Sequence, residues 1–300
     1  MRIVMSGASG FLGHHLVRRL RGEGHQVVRL VRRESRADDE ARWSPARGEL
    51  DPAVLDGADA VINLSGAGVG DKRWTASYKE IIRSSRVNAT TTIATAMASA
   101  DPHPPVLLNA SAIGWYGDTG EHAVDEGSSR GKGFFPEVCE SWEAATVAAA
   151  NAGVRVTKLR TGLVLAASDG LLKPMLPLFR LGLGGRLGSG RQYMSWISLT
   201  DWISAVVFLL GREIAGPVNL TGPYPETNAD FARALGHAVG RPAVVPVPAP
   251  ALRIALGEFA NEALTSQRVL PGVLTRAGYR FEHPELGPAL RWALRNEETD

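Results

Sequence analysis

The chain opens Met1-Arg-Ile-Val-Met-Ser-Gly7-Ala-Ser-Gly10-Phe-Leu-Gly13. Ile3, Val4 and Met5 form a short apolar run, the pattern of a buried strand. Three glycines follow at once, spaced G-x-x-G-x-x-G, and then Leu12, Leu16 and Leu20 recur on one helical stripe. Strand, glycine turn, helix is the arrangement that dinucleotide binding requires. Gly7 permits the tight turn, Gly10 lets a pyrophosphate approach the backbone, and Gly13 lets helix and strand pack closely. The N–H groups of the first helical turn have no acceptor within the helix, so they face the phosphates.

After the turn Gly22-Glu-Gly24, residues His25 to Val31 read as a second strand, followed by Arg32, Arg33 and Glu34. An acidic residue at this point would accept from the ribose 2′-OH of NAD, whereas arginine holds the 2′-phosphate of NADP. The two arginines therefore predict NADP(H). Trp43 either stacks near the adenine or covers the sheet edge. Further strands are expected at Ala58–Leu64, Pro105–Ala110 and Val154–Leu159, with helices over 76–100 and 134–152. Alternating strands and helices imply a parallel sheet covered on both faces, with ligands outside the carboxyl ends of its strands.

The fold class expected is therefore α/β, a Rossmann-type doubly wound parallel sheet over residues 1–165. After Arg160 the alternation loosens. Gly182 to Gly190 is glycine-rich and expected to be mobile, Gly216–Thr221 is a short strand, and Asn228–Val239 a helix. A proline-rich connector spans Pro242 to Pro250, and a small helical unit spans about 248–297. Residues 166–300 are expected to form a smaller C-terminal substrate lobe lying over the strand ends.

Composition narrows the function classes. With 300 residues, 44% hydrophobic and 21% charged, the chain suits a globular protein. A net charge of +2 makes no case for nucleic acid or an anionic membrane as partner. The one cysteine, Cys139, excludes an internal disulfide and fits a reducing compartment. No signal peptide and no apolar run of roughly 20 residues is seen, so a cytoplasmic protein is expected. The scattered histidines and acids predict no metal site, and His14-His15 are expected on the surface.

Several further stretches carry a resemblance. They are Asn63-Leu-Ser-Gly-Ala67, Arg73-Trp74, Ser85-Arg86, Ser111-Ala-Ile-Gly-Trp-Tyr-Gly117, Trp142-Glu143, Leu159-Arg-Thr-Gly162 and Gly190-Arg-Gln-Tyr-Met-Ser-Trp-Ile197. With Leu264 to Pro271 and Ala277 to Phe281, the whole chain resembles the extended or atypical short-chain dehydrogenases/reductases. More narrowly it resembles the NAD-dependent epimerase/dehydratase-like group with a small C-terminal domain, some of whose members are labelled nucleotide-sugar epimerases or cell-division inhibitors. The resemblance implies cofactor contacts from Gly7, Ser9, Gly10, Phe11, Leu12 and Gly13 in the turn, and from Arg32 and Arg33 beyond the second strand. It implies more from Asn63, Leu64, Ser65, Gly66, Ala67, Arg86, Ala110 and Arg160. Arg191, Gln192 and Ser195 fall on the substrate side, and Ser111 corresponds to the hydroxyl that positions the substrate oxygen.

The superfamily also uses a tyrosine as proton donor and a lysine four residues later to lower its pKa. The helix that should carry them reads Phe134-Phe-Pro-Glu-Val-Cys-Glu-Ser-Trp-Glu143, which places Phe135 and Cys139 at those positions. Neither can do the work: phenylalanine has no proton to give and a thiol no fixed positive charge. Tyr116 is a pocket residue or a substitute donor. Cys139 is a buried structural thiol unless its pKa is lowered. Lys79 and Arg86, on one helix face, either reach the cofactor or an anionic substrate, or face solvent. The function expected is an NADP-dependent oxidoreductase or epimerase-like enzyme acting on a small molecule, with a non-catalytic NADP(H) sensor as the alternative. A homodimer through the 76–100 and 134–152 helices is the expected assembly.

Overall fold

Every side chain from Ile3 to Ser6 is closed to solvent, so β1 (Arg2–Ser6) lies inside the molecule. The computed structural model describes residues 1–295. After β1 come α1 (Phe11–Gly22), β2 (Gln26–Val31), β3 (Glu40–Arg42), β4 (Ala60–Asn63), α2 (Ala76–Ser99) and β5 (Val106–Ala112). Thr75 starts α2, its side chain accepting from the Tyr78 N–H. A two-residue β6 (Ala123–Val124) leads to α3 (Phe134–Ala144), α4 (Val147–Asn151) and β7 (Arg155–Thr161). The helix expected over 134–152 is thus two helices. They part at Ala145 and Thr146, where the Thr146 hydroxyl donates to the Glu143 carbonyl at 2.7 Å and competes with helical pairing.

The chain continues through β8 (Leu163–Leu165), α5 (Leu172–Arg180), β9 (Tyr193–Met194), β10 (Trp196–Ser198), α6 (Leu199–Leu210) and β11 (Gly216–Leu220). It ends with β12 (Glu226–Thr227), α7 (Asn228–Ala238), α8 (Ala249–Leu256), α9 (Ala260–Leu264), β13 (Arg268–Val269), α10 (Gly272–Arg276) and α11 (Leu286–Arg295). The last residues of the expected unit, 296 and 297, lie outside the described residues.

The central sheet has seven strands in the order β11-β7-β5-β4-β1-β2-β3, parallel throughout. This is the Rossmann order, and its reversal between β1 and β4 opens a crevice beyond their carboxyl ends. Alternate residues of each strand face opposite layers. Ile3, Met5 and Ile62 meet α1 and α6 through Leu16, Leu20, Trp202 and Leu209. Val4, Val61 and Leu107 meet α2 and α4 through Ile93, Met97 and Ala149. Both faces are therefore dry, which explains strands that are apolar throughout rather than alternating.

The boundary expected at residue 165 cuts this sheet. β11 pairs with β7, Val218 beside Leu159, and α6 covers the same face as α1, so the layer needs residues up to 220. The remaining lobe has its own core, in which Trp196, Phe231, Leu235 and Leu290 join α7 and α11 to the short strands. Its tail is fastened to α6 by the Asp201 carboxylate, which accepts the N–H groups of Glu282 and His283 at 2.8 and 2.9 Å.

The glycine-rich and proline-rich segments pair with each other. Val245 N–H donates to the Gly184 carbonyl (3.1 Å), Val247 N–H to Arg186 (2.9 Å) and Gly188 N–H to Val247 (2.8 Å). Trp43 is buried against Leu50 and Leu55 and covers the sheet edge. His15 is buried too, its ring edge-on to Phe11, contrary to the surface position expected. Among the described residues no helix is long and apolar enough to cross a membrane.

Candidate dinucleotide site

The glycine turn sits at the β1/β4 reversal. Gly7 has φ +72°, and a Cβ there would lie 2.7 Å from the Leu64 carbonyl group, so only glycine fits. A Cβ on Gly13 would lie 2.1 Å from the Gly7 oxygen, which sets how closely α1 approaches the turn. Gly10 caps α1 with no side chain over the first N–H groups, leaving them open to an anion. Ser9 is exposed beside it, while Phe11 and Leu12 pack partly into the core.

Beneath the turn, Asn63 is wholly buried. Its Oδ1 accepts from Ser6 Oγ (2.6 Å) and Ser65 N–H (3.2 Å), and its Nδ2 donates to Asn109 Oδ1 (2.7 Å) and Thr90 Oγ1 (3.0 Å). Asn63 thus knits the ends of β1, β4 and β5 to α2 and shapes the floor under Leu64. The loop Ser65-Gly66-Ala67 is held from α2: Ala67 N–H donates to Ser85 Oγ and Arg86 Nη1 donates to the Ala67 carbonyl, both at 3.0 Å. Arg86 also stacks 5.0 Å from the Trp142 ring, and burial lowers its pKa. A Cβ on Gly66 would press on its guanidinium at 3.2 Å. Arg86 therefore braces the loop, and Ala110 lies half-buried on the neighbouring strand end.

At the end of β2 the two arginines differ. Arg33 grips Glu40 with both terminal nitrogens at 2.7 Å, and this grip, with the Arg36 N–H, pushes the Glu40 carboxyl down to about 2. Arg32 is exposed and makes no ion pair among the described residues. Next to them, beyond the end of β3, a cavity of about 200 Å³ is lined by Arg42, Trp43, Ser44 and Arg47 with Glu49 and Asp51.

The other end of the crevice holds a closed polar cluster. Glu143 and Arg160 form a buried pair, Nε to Oε1 at 2.8 Å and Nη2 to Oε2 at 3.0 Å. Ser111 Oγ donates to Glu143 Oε1 at 2.7 Å. Arg160 Nη1 donates to the Tyr116 oxygen at 3.0 Å, and that phenol donates to Asn219 Oδ1 at 2.8 Å. The guanidinium also lies 4.0 Å from the Trp115 ring. Desolvation raises the Tyr116 pKa, with Arg160 opposing it. Ser111, Tyr116 and Arg160 thus lie in one cluster, each engaged inside the protein.

Helix α3 contains neither tyrosine nor lysine. Phe135 packs on Gly114, where a Cβ would meet it at 3.1 Å, and lies 5.2 Å from Trp74. Cys139 donates to the Ala112 carbonyl at 3.6 Å, and burial pushes its thiol up to about 12. It is a neutral structural thiol.

The three substrate-side residues do not converge. Arg191 is exposed and pairs with Glu121 at 3.1 Å. Gln192 donates to the Leu187 carbonyl at 3.1 Å. Ser195 donates to the Gln267 carbonyl and accepts from Val269 N–H, both at 2.8 Å, pinning the tail strand. Lys79 bonds Glu258 at 2.6 Å and lies 4.8 Å from the Phe134 ring, while Trp74 packs 5.5 Å from Phe259, so the C-terminal unit is latched to the start of α2. Sequence reasoning gave Glu143 and Asn219 no role. Glu143 and Arg160 sit 17 positions apart on a helix and a strand, and no spacing pattern joins them.

Residues 3–221 match the model of the NAD dependent epimerase/dehydratase family. The chain belongs to this family. The match ends one residue beyond β11, where the sheet ends, and residues 247–293 match a domain of unknown function (DUF1731). The epimerase family protein MT2273 of Mycobacterium tuberculosis (strain CDC 1551 / Oshkosh) is 46% identical over 293 residues, 97% of each chain. The epimerase family protein SDR39U1 of Bos taurus is 35% identical over 297 residues, 97% of this chain and 99% of that one. Among solved structures, human epimerase family protein SDR39U1 (isoform 2), crystallised with NADPH, superposes with a TM-score of 0.91. It is 30% identical and covers 99% of this chain and 100% of that chain. For a member of the epimerase/dehydratase family, the chain has the glycine turn but a helix α3 with neither tyrosine nor lysine.

Proposed function

We propose that this protein binds NADP(H) in the β1/β4 crevice and acts as an oxidoreductase or epimerase-like enzyme on a small molecule beneath the C-terminal lobe. The observation that carries the cofactor reading is the glycine turn, with Gly7 at positive φ against Leu64, Gly13 against Gly7, and α1 capped by a residue without a side chain. The NADPH present in the human relative supports it. The first N–H groups of α1 hold the pyrophosphate and Arg32 holds the 2′-phosphate, while Arg33 and Glu40 brace the turn beside it. The bound nicotinamide supplies hydride transfer.

Ser111 faces this chemistry with its proton committed to Glu143, so its oxygen accepts a hydrogen bond from a substrate hydroxyl and orients it. A second reading, a non-catalytic NADP(H) sensor, is favoured by the internal engagement of Ser111, Tyr116 and Cys139 together. Ser111→Ala separates the two. In the enzyme reading it abolishes turnover, found by screening carbonyl and sugar-nucleotide substrates with NADPH, and leaves cofactor affinity intact. If the unmodified chain turns over nothing while binding NADPH tightly, the enzyme reading falls.

A further inference from the structure

Eleven large apolar side chains are exposed among the described residues, and seven of them come from two short segments. Leu178, Leu181 and Leu183 lie at the end of α5 and in the glycine-rich loop; Val244, Val245, Ile254 and Leu256 lie in the proline-rich connector and α8. Leu181, Val244 and Ile254 are 73%, 73% and 78% exposed. The hydrogen bonds from Val245 to Gly184 and from Val247 to Arg186 bind the two segments into one surface, and Arg241 Nε donates to the Arg180 carbonyl across them.

Within these two segments the charged side chains have one sign. No aspartate or glutamate occurs between Asp169 and Asp201, nor between Asp230 and Glu258. The same stretches expose Lys173, Arg186, Arg241 and Arg253. The two flanking acids nearest α7 and α8 are taken, Asp230 by Arg233 at 2.8 Å and Glu258 by Lys79 at 2.6 Å. Four exposed cations thus flank the apolar side chains along the two segments in a chain whose net charge is only +2, so the overall balance conceals the patch.

We propose that this surface docks on an anionic lipid bilayer, the aliphatic side chains entering the headgroup boundary while the cations meet lipid phosphates. Exposed aliphatics within a cationic rim are what an interfacial anchor needs, since apolar burial and attraction to anionic headgroups add. Segments whose charged side chains are all basic fit a uniformly negative surface better than a protein face of mixed charge. The protein would sit on the membrane without crossing it.

The test is sedimentation of the full chain with vesicles of phosphatidylcholine alone and of phosphatidylcholine with phosphatidylglycerol, at low and high salt. Binding is expected only to the anionic vesicles and should weaken as salt rises. Lys173→Ser with Arg253→Ser should lower vesicle affinity roughly thirtyfold, at about a factor of five per cation. Leu181→Ser with Val244→Ser should lower it by a similar factor, and NADPH affinity should be unchanged in both variants, showing that the fold is intact. Failure to bind anionic vesicles, or equal binding to neutral ones, overturns the proposal. A dimer in solution that Leu181→Ser with Val244→Ser dissociates, without vesicle binding, would assign the face to a second copy instead.

Discussion

Arg32 and Arg33 are adjacent, chemically identical and both exposed, yet their surroundings give them different work. Arg33 already spends its fork on Glu40, so a 2′-phosphate would have to compete with a carboxylate held near 2. Arg32 carries no such partner among the described residues. Arg32→Ala should therefore weaken NADPH about tenfold, the worth of one charge-assisted hydrogen bond, and leave NADH unchanged. Arg33→Ala should cost less, and fluorescence titration with both nucleotides reads the difference. Glu143→Gln tests the buried cluster: it leaves the Arg160 charge unpaired where the side chain is 3% exposed, so a loss of about 3–5 kcal/mol in urea unfolding is expected. An unchanged midpoint would mean that the pair does not hold the strand ends. These roles were only half legible. The glycines announced themselves by their spacing because each role is local to the turn. Glu40 and Glu143 did not, since they meet their arginines across strands and helices.

At the scale of elements, the helices and strands of the first unit were readable because both sheet faces demand continuous apolar runs. The split between α3 and α4 was not, because it depends on one hydroxyl taking one carbonyl. Nor was the pairing of the glycine-rich and proline-rich segments, whose sequences carry no periodicity. The C-terminal unit is the element with a titratable device. On α9, burial, with Glu258 adding and Lys79 opposing, pushes the Glu262 carboxyl up to about 7. A carboxyl raised in the folded state binds its proton more tightly there than when unfolded. Its contribution to stability is therefore full below the usual carboxylate range and is lost as pH rises toward 7. Thermal melts from pH 4 to 8 should show this decline, and Glu262→Gln should flatten it and melt higher than the parent at pH 8. A variant that follows the parent at every pH would exclude Glu262 as the source.

For the whole molecule, the central sheet runs past the boundary expected at residue 165. The sheet takes its last strand from residues 216–220 and a covering helix from 199–210, a return of the chain that local patterns do not show. A fragment ending at residue 165 should consequently lack cooperative unfolding by circular dichroism, because it exposes β7 and the face that Trp202 and Leu209 cover. A fragment that melts cooperatively would argue that the first half folds alone. The central claim, a phosphate turn tuned to NADP(H), is tested most directly by calorimetric titration of the full chain with NADPH and then NADH. The account predicts saturable NADPH binding at one site and NADH weaker by about tenfold or more, the worth of the 2′-phosphate contact. Equal affinity for the two would contradict the role of Arg32, and binding of neither would contradict the site itself.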